Sequence, residues 1–440
     1  MKLLSLILCT VFSVAVQANT LYVPSQYPTI QEGLNAAQPG DSVLVAEGTY
    51  TENIIWPQTN DLHLLSDPAN TTRPIIDGAL AGRVIDIETD GSTVFNAEIS
   101  GFGIAHGFLN VPAHTGGTGA GIFVSNAVLQ LSNSVISNNE ITSTFDIQNN
   151  GGGAGLSIVS TPVGYINSIV GCTFVSNLVD HLTSGDGPAV HLDGAPAVIK
   201  DTEIRNNKIS VSEVALGMIY DYASDVVLDA VKIENNKAET TQSLLPGFAA
   251  IKGTALASFL SEVELVDSKI ANNLSTPQNS TLTLLGAAVY FYGEGTALKV
   301  SSSSIAYNKR TDGAATGGTA LFFSSATALT ASVADSILWN PGDGEEIDSF
   351  DRPVTVHFSD IRGGYRGSTN IDADPLFVSE SDLHLQPASP AINAGDNRFA
   401  PKRDIAGNRR PLPYGTNTDL GCYEIDQSGV AVRWNWSAIQ

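Results

Sequence analysis

The sequence is poor in basic residues and in charge of either sign. It has 22 Lys and Arg against 45 Asp and Glu in 440 residues, a formal net charge of −23, and only 15% charged residues. A chain with so few cations cannot neutralise a phosphate backbone or an anionic lipid surface. We therefore expect neither nucleic acid nor membrane insertion among its interactions, and an acidic surface suits an extracellular or cation-binding protein.

Cysteine is nearly absent. The chain has three, of which Cys9 lies in the first apolar run, while Cys172 and Cys422 are far apart and match no metal-binding spacing. We expect Cys172 and Cys422 to be buried free thiols. A disulfide between them is the alternative for an exported protein.

Long apolar runs are lacking after the first residues. Residues 1–18 begin with Lys2, continue with a short apolar run and end in Val16-Gln17-Ala18, which is typical of a secretory signal peptide cleaved after Ala18. The run is too short to span a membrane. The tail, residues 427–440, has no apolar anchor. These features predict a secreted or periplasmic bacterial protein that is released rather than anchored.

The sequence does contain a repeat, in which an apolar residue is followed three places later by asparagine. TEIRNN (202–207) and VKIENN (231–236) are two copies, and successive copies lie 29 to 38 residues apart. A period in this range is typical of a solenoid, whose units stack on their neighbours. The apolar members are Ile136, Phe174, Ile204, Ile233, Ile270, Ile305 and Ile337, and the asparagines are Asn139, Asn177, Asn207, Asn236, Asn273, Asn308 and Asn340.

A second motif precedes each copy of this repeat and indicates which type of secondary structure forms the solenoid. It consists of small residues followed by an apolar run rich in Val, Ile and aromatic residues, as in GAAVYFY (286–292). Such runs favour strands over helices. Stacked parallel strands predict an all-β, right-handed parallel β-helix. The apolar residue should point inward, and the asparagine should form an amide ladder at a turn, where it can bond backbone groups and tolerate a left-handed conformation.

The start of the mature chain predicts a helical cap. Thr29 and Glu32 fit a capping box, Ile30 and Leu34 share an apolar helix face, and Pro39 and Gly40 end the helix. This opening resembles that of pectinesterases and other extracellular β-helix proteins, which implies a pectate-lyase-like solenoid. We expect the cap and first coil over residues 19–50 and the remaining coils over 51–364.

The run after the repeats resembles the choice-of-anchor Q domain, found at the end of many bacterial exported β-helix proteins. Its segments are IDADPLF (371–377), DLHLQPASPAINAGD (382–396), DIAGNRRP (404–411) and DLGCYE (419–424). The resemblance implies an irregular C-terminal cap over residues 365–426. Cys422 stands where that family usually has alanine.

Charged residues in this C-terminal segment suggest a network that holds it in place, and a calcium site is the alternative because carboxylate oxygens are calcium ligands. The residues are Asp396, Asp404, Arg409, Arg410 and Glu424.

The repeats are also similar to those of polymorphic membrane proteins. GAAV (286–289) is a shortened form of one hallmark motif of that family, and FVSN (174–177) matches the other. The resemblance implies surface display and adhesion.

Chemistry would sit on side chains that point outward from the strands. Aligning the second motif on its small residue places two outward positions in each coil. The first position carries Phe123, Ser157, His191, Ile219, Lys252, Tyr290 and Phe322, and the second carries Ser125, Val159, Asp193, Asp221, Thr254, Tyr292 and Ser324. The alignment thus predicts a mixed polar and aromatic stripe along one face.

The stripe carries the candidate site residues. His191, Asp193, Asp221 and Lys252 are candidates for acid–base or nucleophilic roles on a polysaccharide. Asp193 and Asp221 could instead hold Ca²⁺, although no cofactor is required by the pattern.

Three aromatic residues, Tyr290, Tyr292 and Phe322, are candidates to stack on sugar rings. Packing beneath loops is the alternative. Around GMIYDYAS (217–224), a slip of one residue would turn Tyr220 and Tyr222 outward instead of Ile219 and Asp221.

Three functions fit this sequence. The first is a monomeric, noncatalytic protein that binds polysaccharides, surface glycans or other surface partners. The second is a polysaccharide lyase or glycoside hydrolase that uses the stripe, and the third is a scaffold without a ligand groove.

Overall fold

Each coil of the protein contributes short strands to four parallel sheets, and some coils contribute a second strand to the third of these sheets. The computed structural model describes residues 18–92, 94–112, 116–143, 150–240, 250–277, 283–285, 288–293, 296–311, 320–324, 330–340, 342, 344–349, 352–413 and 415–426. In a full coil the chain runs through sheets 1, 2, 3 and 4 and then enters sheet 1 of the next coil. All ladders within these sheets are parallel, so the predicted right-handed parallel β-helix is confirmed.

Sheets 1 and 2 form two adjoining sides of the solenoid. Sheet 1 contains Thr20–Val23, Ser42–Val45, Leu62–Ser66, Asn96–Ser100, Val128–Ser132, Asn167–Val170, Ala197–Lys200, Val226–Asp229, Glu262–Val266, Ala297–Ser301, Thr330–Ala334 and Val354–His357. Sheet 2 contains Thr49–Thr51, Ile75–Asp77, Gly103–Ala105, Val135–Ser137, Thr173–Val175, Glu203–Arg205, Lys232–Glu234, Lys269–Ala271, Ser304–Ala306, Ile337–Trp339 and Asp360–Ile361.

Sheets 3 and 4 complete each coil. The main path of sheet 3 contains Phe108–Asn110, Glu140–Thr142, Leu178–Asp186, Lys208–Leu216, Lys237–Thr240, Leu274–Pro277 and Lys309–Arg310, and its side strands are Gly116–Thr118, Asn150–Gly152, Ala250–Lys252 and Thr283–Leu285. Sheet 4 contains Ile54–Ile55, Ile85–Glu88, Ile122–Ser125, Leu156–Val159, Val190–Asp193, Ile219–Tyr222, Leu256–Phe259, Val289–Tyr292, Leu321–Phe323 and Ile347–Asp348.

The interior is a column of stacked aliphatic side chains. Ile136 is aligned with Phe174, and Phe174 with Ile204, so equivalent residues of successive coils lie about 4.8 Å apart. All three are fully buried, as predicted. The last repeat differs: Leu338, not Ile337, is aligned with Ile305. The ladder asparagine lies three residues after Ile305 but only two residues after Leu338. Leu338 therefore takes the inward position in this last repeat, and Ile337 points outward.

The repeated asparagines form a buried ladder at the turn from sheet 2 to sheet 3. In each rung the side-chain amide of one asparagine donates to Oδ1 of the next, as between Asn177 and Asn207 at 3.0 Å. The residue with a left-handed backbone is the one before the ladder asparagine, for example Asn206 at φ 56°. At the last rung Asn340 donates from its backbone N and Nδ2 to Glu346, both at 2.8 Å.

A short helix, Ile30–Ala36, lies at the N-terminal end of the solenoid. Oγ1 of Thr29 accepts from the Glu32 amide at 3.1 Å, so the predicted N-cap is confirmed. Glu52 from the first coil caps two further amides, those of Ile30 and Gln31. Within the described residues, no helix combines the length and apolar character needed to cross a membrane.

Most of the C-terminal segment lies along the side of the solenoid rather than across its end. Phe377, Leu383 and Leu420 pack with Ile337 and Ala306 of sheet 2 in a second apolar cluster. The outward-facing Ile337 therefore has a partner. At the end itself, Tyr365 packs against the main core.

One buried arginine connects this segment to the solenoid. Nη2 of Arg410 donates to Asp267 at 3.0 Å, and its Nη1 lies 3.4 Å from Glu424. Arg410 and Glu424 thus form part of the predicted charge network, whereas Asp396 pairs with the exposed Arg398. Cys172 and Cys422 are both buried and free, in agreement with the free-thiol prediction.

Candidate functional site

The outer face of sheet 4 holds most of the candidate residues. In Val190–Asp193 the aliphatic residues Val190 and Leu192 point inward, so His191 and Asp193 point outward. The ladder aligns His191 with Tyr220 of the next coil and Asp193 with Tyr222. In the next coil, the two outward positions are therefore occupied by Tyr220 and Tyr222. This is the alternative register that the sequence analysis described for residues 217–224.

The prediction that Asp221 faces outward is wrong. Asp221 is aligned with Leu192 and Ser258, has no exposed surface, and accepts from the Ser258 hydroxyl at 2.9 Å. Burial raises the pKa of Asp221 to about 7. The inward position of Ile219 is consistent with this register, because burying an isoleucine side chain contributes about 1.5–3 kcal/mol.

The position predicted for Lys252 is also wrong, as is that of Thr254. Lys252 belongs to the side strand Ala250–Lys252 of sheet 3, whereas the sheet 4 strand of this coil is Leu256–Phe259. The FAAIKG run (248–253) resembles the repeated motif more than the true strand, LASF, does. Lys252 nevertheless reaches the edge of the face, with its Nζ 5.4 Å from the Tyr290 ring centre.

Ring contacts run along this face over five coils. We use the name aromatic row for His191, Tyr220, Phe259, Tyr290, Tyr292 and Phe322. The ring centres are 5.1 Å apart for His191 and Tyr220, 5.5 Å for Tyr220 and Phe259, 5.6 Å for Phe259 and Tyr290, 5.7 Å for Phe259 and Tyr292, and 5.8 Å for Tyr290 and Phe322.

Exposure divides the aromatic side chains into two groups. Tyr290 and Phe322 are only 1% and 2% exposed, so the packing alternative holds for them. Tyr222 and Tyr292 are 41% and 48% exposed. Phe259 is half-buried between them in the ladder. Tyr222, Phe259 and Tyr292 thus form a line of accessible rings, with Asp193 exposed at its start.

His191 forms a buried pair with an acid that the sequence did not single out. Its Nδ1 lies 2.7 Å from Oδ1 of Asp186, which is on the long strand Leu178–Asp186 of sheet 3. Burial alone would lower the pKa of His191, but the Asp186 carboxylate outweighs it and raises that pKa above its usual value. Ser157 precedes His191 in the ladder, but its hydroxyl is buried and has no hydrogen-bond partner among the described residues.

The arrangement leaves Asp193 as the exposed carboxylate among the predicted catalytic and metal-binding residues. Asp193 points outward and Asp221 inward, so the two cannot converge on one substrate atom or one Ca²⁺. Among the described residues there is no group of three or more His, Cys, Asp or Glu side chains placed to hold a metal ion. Accessible aromatic rings therefore dominate the chemistry of this face.

Three residues of the face were missed or left as alternatives by the sequence reasoning. Tyr220 and Tyr222 were in the alternative register, and the alternation in IYDY (219–222) is the signal that favours it. Phe259 was missed because LASF has two small residues and lacks the preceding glycine pair. No local pattern identifies Asp186, because it reaches His191 from a different sheet.

Comparisons with known proteins give little beyond the fold. No protein-family model matches the chain, and no curated protein matches it. Among solved structures, it is similar to pectate lyase Pel9A, with 14% identity, coverage of 94% of this chain and 98% of that chain, and a TM-score of 0.44.

Two further solved structures are similar at a lower level. XylC in complex with xylose has 9% identity, coverage of 93% and 98%, and a TM-score of 0.37. The Yersinia enterocolitica family 28 exopolygalacturonase has 11% identity, coverage of 78% of each chain, and a TM-score of 0.23. Similarity at this level assigns no activity. The resemblances to the choice-of-anchor Q domain and to polymorphic membrane protein repeats remain predictions.

Proposed function

We propose that this protein is exported and binds glycan chains on the outer face of sheet 4 without catalysing a reaction on them. The signal-peptide pattern of residues 1–18, which lie almost entirely outside the described residues, supports export. The ligand would lie along the solenoid axis, with its sugar rings against Tyr222, Phe259 and Tyr292.

The observation that carries the proposal is the line of accessible rings. Successive coils are about 4.8 Å apart, so these three residues present apolar ring faces at regular intervals along one direction. Tyrosine combines an apolar face with a hydroxyl that can bond a sugar hydroxyl. Asp193, next in the same line, adds an acceptor for sugar hydroxyl groups.

Binding is favoured over catalysis because the two acids predicted to act as a pair, Asp193 and Asp221, lie on opposite faces of sheet 4. Hydrolysis of a glycosidic bond normally requires two carboxyl groups about 5–9 Å apart on either side of the bond. Asp221 points into the core, and His191 is engaged by Asp186 and covered. A lyase or hydrolase and a scaffold without ligand are the competing functions.

The test is binding of the secreted protein to a panel of neutral and acidic polysaccharides, by affinity electrophoresis and calorimetry. Tyr222→Ala and Tyr292→Ala should each weaken binding about tenfold, because each removes a stacking ring. Tyr165→Ala is the matched control. Tyr165 is 43% exposed, as exposed as Tyr222, but lies in the turn that enters sheet 1.

The outcomes separate the three functions. Loss of affinity in the two sheet 4 variants with an unchanged control supports the proposal. If the wild-type protein releases reducing ends or unsaturated sugars, it is a polysaccharide-degrading enzyme, and the noncatalytic proposal is wrong. If the wild-type protein binds no polysaccharide on the panel, the scaffold without a ligand groove is the remaining function.

A further inference from the structure

We infer that the glycan is acidic and carries widely spaced carboxylates, one of which pairs with Lys252 beside the aromatic row. This inference rests on the proposed function and adds the class of ligand. It is carried by the position of Lys252, by its missing ion-pair partner, and by the acidic surroundings of the site.

Lys252 reaches the aromatic row from the flank. Its backbone is aligned with Leu216 of a main-path strand of sheet 3 on one side and with Leu285 of a side strand on the other. Its Nζ lies 6.0 Å from the Phe259 ring centre and 5.4 Å from that of Tyr290. A carboxylate on a sugar stacked over Phe259 would therefore be within reach of this ammonium.

Lys252 differs from the other lysines of the solenoid in its lack of an acidic partner. Within the part of the chain that the structure describes, no carboxylate lies within ion-pair distance of its Nζ, and the rings of Phe259 and Tyr290 are its recorded contacts. The solenoid lysines that do have a carboxylate partner are Lys200, Lys208, Lys232, Lys237, Lys269, Lys299 and Lys309.

The surroundings of Lys252 make a ligand carboxylate favourable. The side chain is half-buried, and this burial lowers the pKa of Lys252 from its ordinary value. Contact with ring faces compensates only part of the lost hydration of an ammonium group. A carboxylate from the ligand would supply the missing charge-assisted hydrogen bond.

The same surroundings limit how densely charged the ligand can be. Asp193 is exposed two coils before Phe259, about 10 Å away along the axis, and would repel a second carboxylate placed there. The net charge of −23 acts against any strongly anionic polymer. A chain whose acidic sugars are separated by neutral ones brings fewer carboxylates to this acidic surface, and it therefore fits better than a chain with a carboxylate on every sugar.

The probes are hyaluronan oligosaccharides, in which glucuronate alternates with a neutral N-acetylated sugar, their carboxyl-reduced counterparts, and oligogalacturonates. Calorimetry on the full chain should give about tenfold tighter binding of hyaluronan than of its reduced form, the worth of one charge-assisted hydrogen bond. Lys252→Met should abolish this difference, and Lys252→Arg should keep it. Lys232→Met, which removes a lysine from sheet 2, is the matched control.

Wild-type protein should bind oligogalacturonates more weakly than hyaluronan, because oligogalacturonates bring more carboxylates to the acidic surface. Equal affinity for hyaluronan and its reduced form, or a preference that survives Lys252→Met, overturns the acidic ligand and leaves glycan binding intact. Tighter binding of oligogalacturonates overturns the wide spacing of carboxylates. If no glycan on the panel is bound, the proposed function fails together with the inference.

Discussion

Replacement of Asn207 by alanine tests whether the asparagine ladder holds the coils together. The side-chain amide of Asn207 donates to Oδ1 of Asn236 at 3.1 Å and to the Phe174 carbonyl at 3.0 Å. Its Oδ1 accepts from the backbone N and from Nδ2 of Asn177, both at 3.0 Å. The side-chain amide of Asn207 also donates to the Arg205 carbonyl at 3.2 Å, so one substitution removes five hydrogen bonds at a residue that is only 1% exposed.

The expected loss of stability follows from which groups are left without a partner. In the part of the chain that the structure describes, the backbone N of Asn177 has no acceptor besides Oδ1 of Asn207, and a buried unsatisfied donor costs about 1–3 kcal/mol. Two of the other groups keep a partner: Nδ2 of Asn177 still donates to the Ile136 carbonyl, and Oδ1 of Asn236 still accepts from the backbone N of residue 207. Adding about 0.5 kcal/mol, the lower end of the range for a net hydrogen bond, for each of the four other lost bonds gives a total of about 3–5 kcal/mol.

The measurement is equilibrium unfolding in urea, followed by far-ultraviolet circular dichroism and by intrinsic fluorescence. Asn206→Ala is the control, because Asn206 is adjacent to Asn207 but exposed. Its backbone is left-handed, with φ 56°. Alanine adopts this conformation less readily than asparagine, so we expect a loss of stability of about 1 kcal/mol. If Asn207→Ala unfolds within about 0.5 kcal/mol of the wild type, or if Asn206→Ala is the more damaging change, the ladder contributes less than its geometry indicates.

Two further predictions concern buried charges. Burial raises the pKa of Asp221 to about 7, so its contribution to stability is greatest below its unfolded pKa near 4 and falls as the pH rises to 7. Asp221→Asn should remove this part of the pH dependence of the free energy of unfolding. If the variant shows the same pH dependence as the wild type, the prediction for Asp221 is wrong. Arg410→Ala leaves the buried Asp267 and Glu424 without their arginine partner and should lower the free energy of unfolding by about 3–5 kcal/mol. Limited proteolysis should then cleave residues 372–426 first, and resistance equal to wild type would argue against it.

The face of sheet 4 illustrates what a repeat cannot decide. Around Tyr220 and Tyr222 two registers were compatible with the sequence, because a polar Asp221 inside the solenoid looks unfavourable. The core accepts it because Ser258 from the next coil donates a hydrogen bond, and the buried carboxyl has a pKa near neutrality. Lys252 was misplaced for a related reason, since the side strands of sheet 3 have no counterpart in the repeat pattern.

The C-terminal segment shows the same limit at a larger scale. The sequence indicated an irregular segment with a charge network, and Arg410 with Glu424 is part of that network. Its position along sheet 2 depends on the outward-facing Ile337 and on Asp267, and Asp267 lies 143 residues from its partner Arg410 in the sequence. No local pattern connects residues that far apart.

The sequence by itself determined the parallel β-helix, its buried aliphatic column and its asparagine ladder, because each coil repeats the same local solution and each asparagine bonds its equivalent in the next coil. Tertiary structure alone decided which side chains meet on the outer face. Asp186 reaches His191 from another sheet, Lys252 reaches Phe259 and Tyr290 from a side strand, and Asp221 finds its partner one coil away. These side-chain contacts depend on insertions whose lengths differ from coil to coil. The insertions do not follow the repeat, so the repeat pattern cannot predict the contacts.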